Sequence, residues 1–234
     1  LGAVPSGAIP VGGQGDNGNN VLNIFNIAAE TGNAFYDPSK RFLSTAVYQL
    51  PFGRSKRFMG NTSRLMDALV GGWSTSTILL YHSGFWLTPY FPTTTSDPSG
   101  TQPSYRSVSQ QNPDCNAGVS GTLSNPTIAT YFNAKAYSIP ASNIGRFGNC
   151  GVGTLAGPHT ITFSSSFGKT FHVTERFTAH YEAQFANLFN VNNWGIPNTN
   201  VGSASFGQVT AQQDGTPGSQ AGPRSIQMSL RLSF

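Results

Sequence analysis

The sequence predicts an all-β protein: an antiparallel transmembrane β-barrel, represented by about five to six strands of a larger barrel and carrying long extracellular loops. Three observations lead there. The last eleven residues, "RSIQMSLRLSF", alternate without a break, with Ile226, Met228, Leu230, Leu232 and Phe234 on one face and Ser225, Gln227, Ser229, Arg231 and Ser233 on the other; a membrane-spanning strand needs ~9–11 residues. Only 9% of the 234 residues are charged and 38% are hydrophobic, against roughly 25% and ~45–50% in ordinary globular proteins. Ser, Thr, Asn, Gln and 27 glycines fill the difference. The predicted strands are joined alternately by long and shorter segments, the pattern of a barrel with long outer loops and short periplasmic turns.

The elements follow in order. Residues 1–40 are rich in Gly and Asn and read as a loop, the patch "VLNIFNIAA" keeping no period. Residues 41–91 read as a strand pair. Its first strand, 41–51, sets Phe42, Ser44, Ala46, Tyr48 and Leu50 against Leu43, Thr45, Val47 and Gln49, and is stopped by Pro51 and Gly53. A connector, 54–72, holds four basic residues and one short helical turn around Leu65 to Val70. The second strand, 73–89, has Trp73, Thr75, Thr77, Leu79, Tyr81, Phe85 and Leu87 at period two. Residues 92–156 form a long irregular loop rich in Pro, Ser and Asn, of a length that argues against a compact soluble domain and for a barrel rim. A hairpin spans 157–190: one strand, 159–168, has Ile161, Phe163 and Phe167 on its apolar face, and its partner, 176–188, has Phe177, Ala179, Tyr181, Ala183 and Phe185. A further loop, 191–223, leads to the terminal strand, 224–234. With the last residue on the periplasmic side, five strands place the amino-terminal loop outside the cell. Single-chain bacterial barrels have even strand numbers, so either a strand is hidden in residues 1–40 or the chain is the carboxy-terminal piece of something larger. Leu1 in place of an initiator methionine, with no signal peptide, reads as a mature or truncated chain.

Several function classes recede. No apolar run approaches the ~18 residues of a membrane helix. The formal charge of +4 comes from few residues, with no basic helix or aromatic–basic interleaving, so no nucleic-acid partner is expected. No Gly-x-Ser-x-Gly elbow accompanies a histidine and an acid, and no catalytic residue or cofactor is assigned. The glycines of "GNCGVGTLAG" (148–157) miss the dinucleotide spacing at Ala156. "GDNGNN" (15–20) resembles a calcium loop without its closing bidentate Glu, and no Cys/His spacing makes a zinc site. No metal is expected.

The residues that remain have structural or recognition roles. Cys115 and Cys150 share one polar stretch and are read as a disulfide formed in an oxidising compartment, two free thiols being the alternative. His82 and His180 fall on polar strand faces, as lumen-facing residues or, if their strands adjoin, as a pair. Glu182 and Arg231 belong to the same inward set and could pair across adjacent strands. Trp73, Tyr81, Phe85, Trp86, Tyr90 and Phe91 along one strand suit an interfacial girdle at its ends; the alternative, stacking on a ligand such as a sugar ring at the loop mouth, concerns chiefly Trp86, Tyr90 and Trp194.

The stretches "YQLPFGRSKRF", "GGWSTSTILLYHSGFWLTPY", "ERFTAHYEAQFANLFNVNNWGIPNTNVGSASFGQVT" and "RSIQMSLRLSF" together resemble the carboxy-terminal barrel region of the Oar-like TonB-dependent receptors. The resemblance extends from about Asn23 to Phe234, and "EAQFANLFN" followed by "FGQVT" is its most specific part. It implies an outer-membrane barrel of about twenty-two strands, preceded by a plug and often by a carboxypeptidase-regulatory-like domain, which imports a bulky ligand such as a carbohydrate, peptide or siderophore with energy from the TonB system. It also implies that Phe234 ends the signal read by the barrel-assembly machinery. The chain departs from the pattern in lacking the plug and TonB box, and in carrying "DPSKRF" (37–42) where relatives have Asp-x-x-His-Arg. The expected partners are therefore outer-membrane lipid, the assembly machinery and, through the missing plug, the TonB system. The alternative is a structural or adhesive protein that self-associates through its open strand edges; a secreted β-sandwich lectin is a third reading, disfavoured by the low charge and apolar strand faces.

Overall fold

A computed structural model describes residues 26–35, 37–100, 110–172, 177–213 and 221–234. The strands, in chain order, are β1 (Arg41–Gln49), β2 (Trp73–His82), β3 (Trp86–Leu87), β4 (Phe91–Pro92), β5 (Gln110–Gln111), β6 (Asp114–Cys115), β7 (Tyr137–Ser138), β8 (Leu155–Ala156), β9 (Thr160–His172), β10 (Thr178–Ala186) and β11 (Ser225–Ser233). One α-helix, α1 (Arg64–Val70), and two 3₁₀ turns, Ile27–Glu30 and Ala134–Ala136, complete the set. The described residues divide into two compact units, one drawn from 41–82, 160–193 and 213–234, the other from 26–40, 83–159 and 194–212.

The first unit is a five-stranded antiparallel sheet in the order β1-β2-β9-β10-β11, each strand pairing with its neighbour in that series. Because side chains alternate at period two, the register sorts them onto two faces. One carries Ser74 and Ser76 of β2, Thr162, Ser164 and Ser166 of β9, Glu182 and Gln184 of β10, and Gln227 and Ser229 of β11. The other carries Trp73, Tyr81, Phe163, Phe167, Tyr181, Phe185 and the row Ile226, Met228, Leu230, Leu232. That row is more than half exposed, from 52% at Leu232 to 65% at Met228 and Leu230. In water, such a surface would forfeit about 25 cal/mol for every Å² of apolar area left uncovered.

All five expected strands shift an end, three of them by no more than two residues and two of them further. The strand expected over 73–89 stops at His82, because Gly84 runs against the backbone of Gly157 so closely that a Cβ would fall 1.7 Å from its carbonyl oxygen. Phe85 and Leu87 keep the apolar period, but they serve the second unit: Phe85 stacks on Phe35 at 5.4 Å and Leu87 is buried. The strand expected over 159–168 runs on to His172, since the alternation survives Gly168 and its bare position lies between Ser74 and Glu182. The helical turn expected around Leu65 to Val70 is α1, capped by Ser63, whose Oγ accepts the N–H of Met66 at 3.3 Å.

The second unit holds most of the segment expected to be a long irregular loop. Its described residues fold around a core of Leu87, Phe132, Ala136, Tyr137, Cys150, Leu155 and Phe206, flanked by Phe35, Tyr131, Ile196 and Val201. The pairs β3–β8, β4–β5 and β6–β7 are only two residues long, so its cohesion comes from the aromatic core and from polar ties. Gly207 shows why a small residue is required there: its φ is +75° and a Cβ would lie 2.9 Å from the nitrogen of Phe132.

Candidate functional site

The polar face of the sheet is the first candidate surface. Hydroxyl groups run across it in register. Ser76 and Ser166 share a hydrogen bond at 2.8 Å, and Ser74 donates to the carbonyl of Gly168 at 3.3 Å. A cavity of about 310 Å³ lies over this face, lined among others by Ser76, Ser166, Glu182, Gln184, Ser225 and Gln227. It offers neutral donors and acceptors around one carboxylate, Glu182, which takes a hydrogen bond from Gln184 Nε2 at 3.2 Å. Such a lining can hydrogen-bond a hydroxylated or amide-bearing ligand.

His82, His180, Glu182 and Arg231 all lie on the polar face, as expected of them, but they do not make the pairs that stood as alternatives. β9 separates the strands of the two histidines, and His82 is level with Thr160 while His180 is level with Thr170, ten positions along β9 and so about 33 Å away at ~3.3 Å per residue. They cannot share a metal or a proton. His180 instead bonds Thr170 Oγ1 through Nδ1 at 3.0 Å. Arg231 stands opposite His180, and Glu182 opposite Ser229, which leaves the expected Glu182–Arg231 pair on a diagonal. The ion pair present among the described residues is Arg146–Asp114, at 2.6 Å.

The aromatic candidates lie in the second unit. Trp86 sits in β3 opposite Ala156, Tyr90 bridges to Asn200, and Trp194 bridges to Gln212 with its ring edge-on to Tyr131 at 6.2 Å. All three are half-buried. Burial pushes the phenols of Tyr90 and Tyr131 upward and that of Tyr137 to about 12. Cys115 and Cys150 are bonded to each other. Beside them Asp114 receives both terminal nitrogens of Arg146 and the N–H of Asn149. The Arg146 hydrogen bond holds the Asp114 carboxyl below its usual range, partly opposed by desolvation.

Sequence reasoning missed three asparagines spaced by three. Asn187 is wholly buried and joins Val191 to Gly222, its Nδ2 donating to both carbonyls at 2.8 Å and its Oδ1 accepting the N–H of Val191 at 2.9 Å. Asn190 accepts the N–H of Arg224, and Asn193 accepts that of Ile161. Together they fasten the start of β11 and of β9 to the end of β10. The signal was in view: two of them stand within "EAQFANLFN", at φ values of +48° and +52° that asparagine tolerates better than most residues.

A family model described as "Outer membrane beta barrel domain" matches residues 8–227. The chain belongs to that family. Neither the curated proteins nor the solved structures compared with the chain give a match. Membership of the outer membrane beta barrel family places the protein in the bacterial outer membrane and gives the exposed apolar row of β11 a solvent in which it is stable. Residues 15–20, where a calcium loop was weighed, lie outside the described residues. Phe234, the expected end of the assembly signal, is fully exposed.

Proposed function

We propose that this chain is the carboxy-terminal part of a TonB-dependent, Oar-like receptor that imports a bulky ligand through a gated barrel. The observation that carries the reading is the meander itself: five antiparallel strands in chain order, polar on one face and largely apolar on the other, whose two longest connections leave from the same sheet end, at His82 and Ala186. A hydroxyl-lined inner face suits passage of a polar ligand, and no bond need be made or broken. Trp86, Tyr90 and Trp194 supply stacking surfaces for that ligand, and the TonB system supplies the energy through a plug. The smallest single-chain barrels have eight strands, so the described strands form part of a wall. The test is the intact mass of the native protein extracted from its source membrane in detergent. A mass several times 24.8 kDa is the expected result. A mass near that value would set the transport reading aside.

The second reading rests on the sheet edges. β1 is exposed at all nine residues and, like β11, has one paired neighbour only among the described strands. An unpaired edge in lipid is expensive, so copies of the chain could complete one another's walls. Crosslinks between β1 of one copy and β11 of another, in a chain of native mass near 24.8 kDa, would establish this self-assembled form.

A further inference from the structure

The end of the sheet opposite the long connections carries a feature that the barrel wall does not require. Lys169 lies on the apolar face of β9, between Trp73 on β2 and Tyr181 on β10. It is 3% exposed, and its Nζ has no hydrogen-bond partner among the described residues. Its ammonium stands 5.5 Å from the Trp73 ring and 5.0 Å from that of Phe171, while the rings of Trp73 and Tyr181 meet edge-on at 6.3 Å. Ring faces offset part of the cost of desolvating a cation, and the carboxylate of Asp67 attracts the ammonium without reaching it, so the buried ammonium still lacks a direct acceptor and has room for one more anion.

The connector at the same sheet end points to which anion. Arg54, Lys56, Arg57 and Arg64 are all exposed, and none is in an ion pair among the described residues. The one acid of the connector, Asp67, spends an oxygen on the N–H of Arg54. The same connector exposes apolar side chains: Phe58 at 47%, Met59 at 45%, Leu65 at 82% and Leu69 at 69%. The indole of Trp73 ties the two features together by donating to the carbonyl of Leu69 at 2.9 Å. A water-facing turn gains nothing from exposed leucines, whereas basic and apolar residues on one surface are what a segment lying in an anionic headgroup layer presents. Short connections face the periplasm in such barrels, so the headgroups are those of the inner leaflet.

We infer that Lys169, the rings of Trp73 and Phe171, and the basic connector with α1 form a binding site for an anionic phospholipid, which anchors this end of the wall to the periplasmic leaflet. The inference rests on the outer-membrane family and does not depend on transport or on TonB.

Native mass spectrometry of the full chain, folded in detergent doped with phosphatidylglycerol or with phosphatidylcholine, tests it, with heat-dependent gel mobility as the check of folding. The wild type should retain phosphatidylglycerol about tenfold more than phosphatidylcholine, and Lys169→Met should cut that retention by about fivefold, the effect of one cation near a headgroup layer. Replacing Arg54, Lys56, Arg57 and Arg64 together by Gln should bring it to the phosphatidylcholine level. If that variant does not fold, Lys169→Met alone decides. Equal retention of the two lipids by folded wild type, or unchanged retention in Lys169→Met, would overturn the site. Displacement of the lipid by inorganic phosphate would also overturn it, since a free anion would then be the ligand.

Discussion

Asn187 does at one position what no other residue type does as well. Its backbone is left-handed at φ +48°, its side chain is fully buried, and its amide satisfies two carbonyls and one N–H. Asn187→Ala would strain the backbone and leave those groups unpaired in the interior, so we expect a loss of about 3 kcal/mol, read from the denaturant midpoint of the folded protein in detergent. Asn187→Gly should relieve the backbone part, roughly 1 kcal/mol, without restoring the hydrogen bonds. Asp114 gives a prediction in pH. Its carboxyl is held low by the Arg146 hydrogen bond, so its contribution is in full force above the unfolded-state value of about 3.9 and is lost as the pH falls through the lower folded value. Acid titration of the unit that contains the disulfide should therefore show a loosening below about pH 4 that Asp114→Asn abolishes. An unchanged acid profile in that variant would remove the ion pair from the account.

At the scale of the element, β11 offers the sharpest contrast, because adjacent residues face different media. Leu230→Arg puts a charge on the lipid face and should cost ~2–4 kcal/mol near the bilayer midplane. Ser229→Arg, one position away on the polar face, should fold and insert almost as the wild type does. Equal effects of the two would reverse or erase the assigned faces. This alternation was legible because it is local: each of the five strands announces itself within about ten residues. What the sequence did not display is equally physical. The core of the second unit draws Phe132, Leu155 and Phe206 from stretches of Gly, Pro and Asn with no period, and Leu87 from a period that belonged to an expected strand, so nothing nearby reveals that they meet. Cross-strand register is another nonlocal quantity, which is why the diagonal placement of Glu182 and Arg231 was not legible; Lys169 was missed because the strand was expected to stop at 168, one residue short of it.

For the whole molecule, the two units are held together by different means. One is a ladder of backbone hydrogen bonds with an apolar face for lipid; the other is a small aromatic core tied by a disulfide that closes a separation of 35 residues. A crosslink over such a loop is worth roughly 3–4 kcal/mol in the chain-entropy model. Replacing Cys115 and Cys150 by Ser should therefore sensitise sites in 110–156 to proteolysis while leaving heat-dependent gel mobility, a property of the sheet, nearly unchanged. Parallel loss of both would mean that the units unfold as one.

The close approach of Gly84 to Gly157 bears on the order of events as well as on the final geometry. β2 and β9 are neighbours in the sheet but are separated along the chain by residues 83–159, and closing so long a loop costs on the order of 4 kcal/mol before the first bond between those strands is made. The N–H of Gly157 donates to the carbonyl of Phe85 at 2.9 Å, and β3 pairs with β8 just beyond. Once those contacts form, the segment is pinched shut at its base, and the two strands face each other as the arms of a tight hairpin would. The sheet can then zip from Thr160 toward His172 with no further loop to close, so we expect Gly84→Ala, whose Cβ would strike the backbone of Gly157, to slow refolding of this wall in detergent, followed by heat-dependent gel mobility.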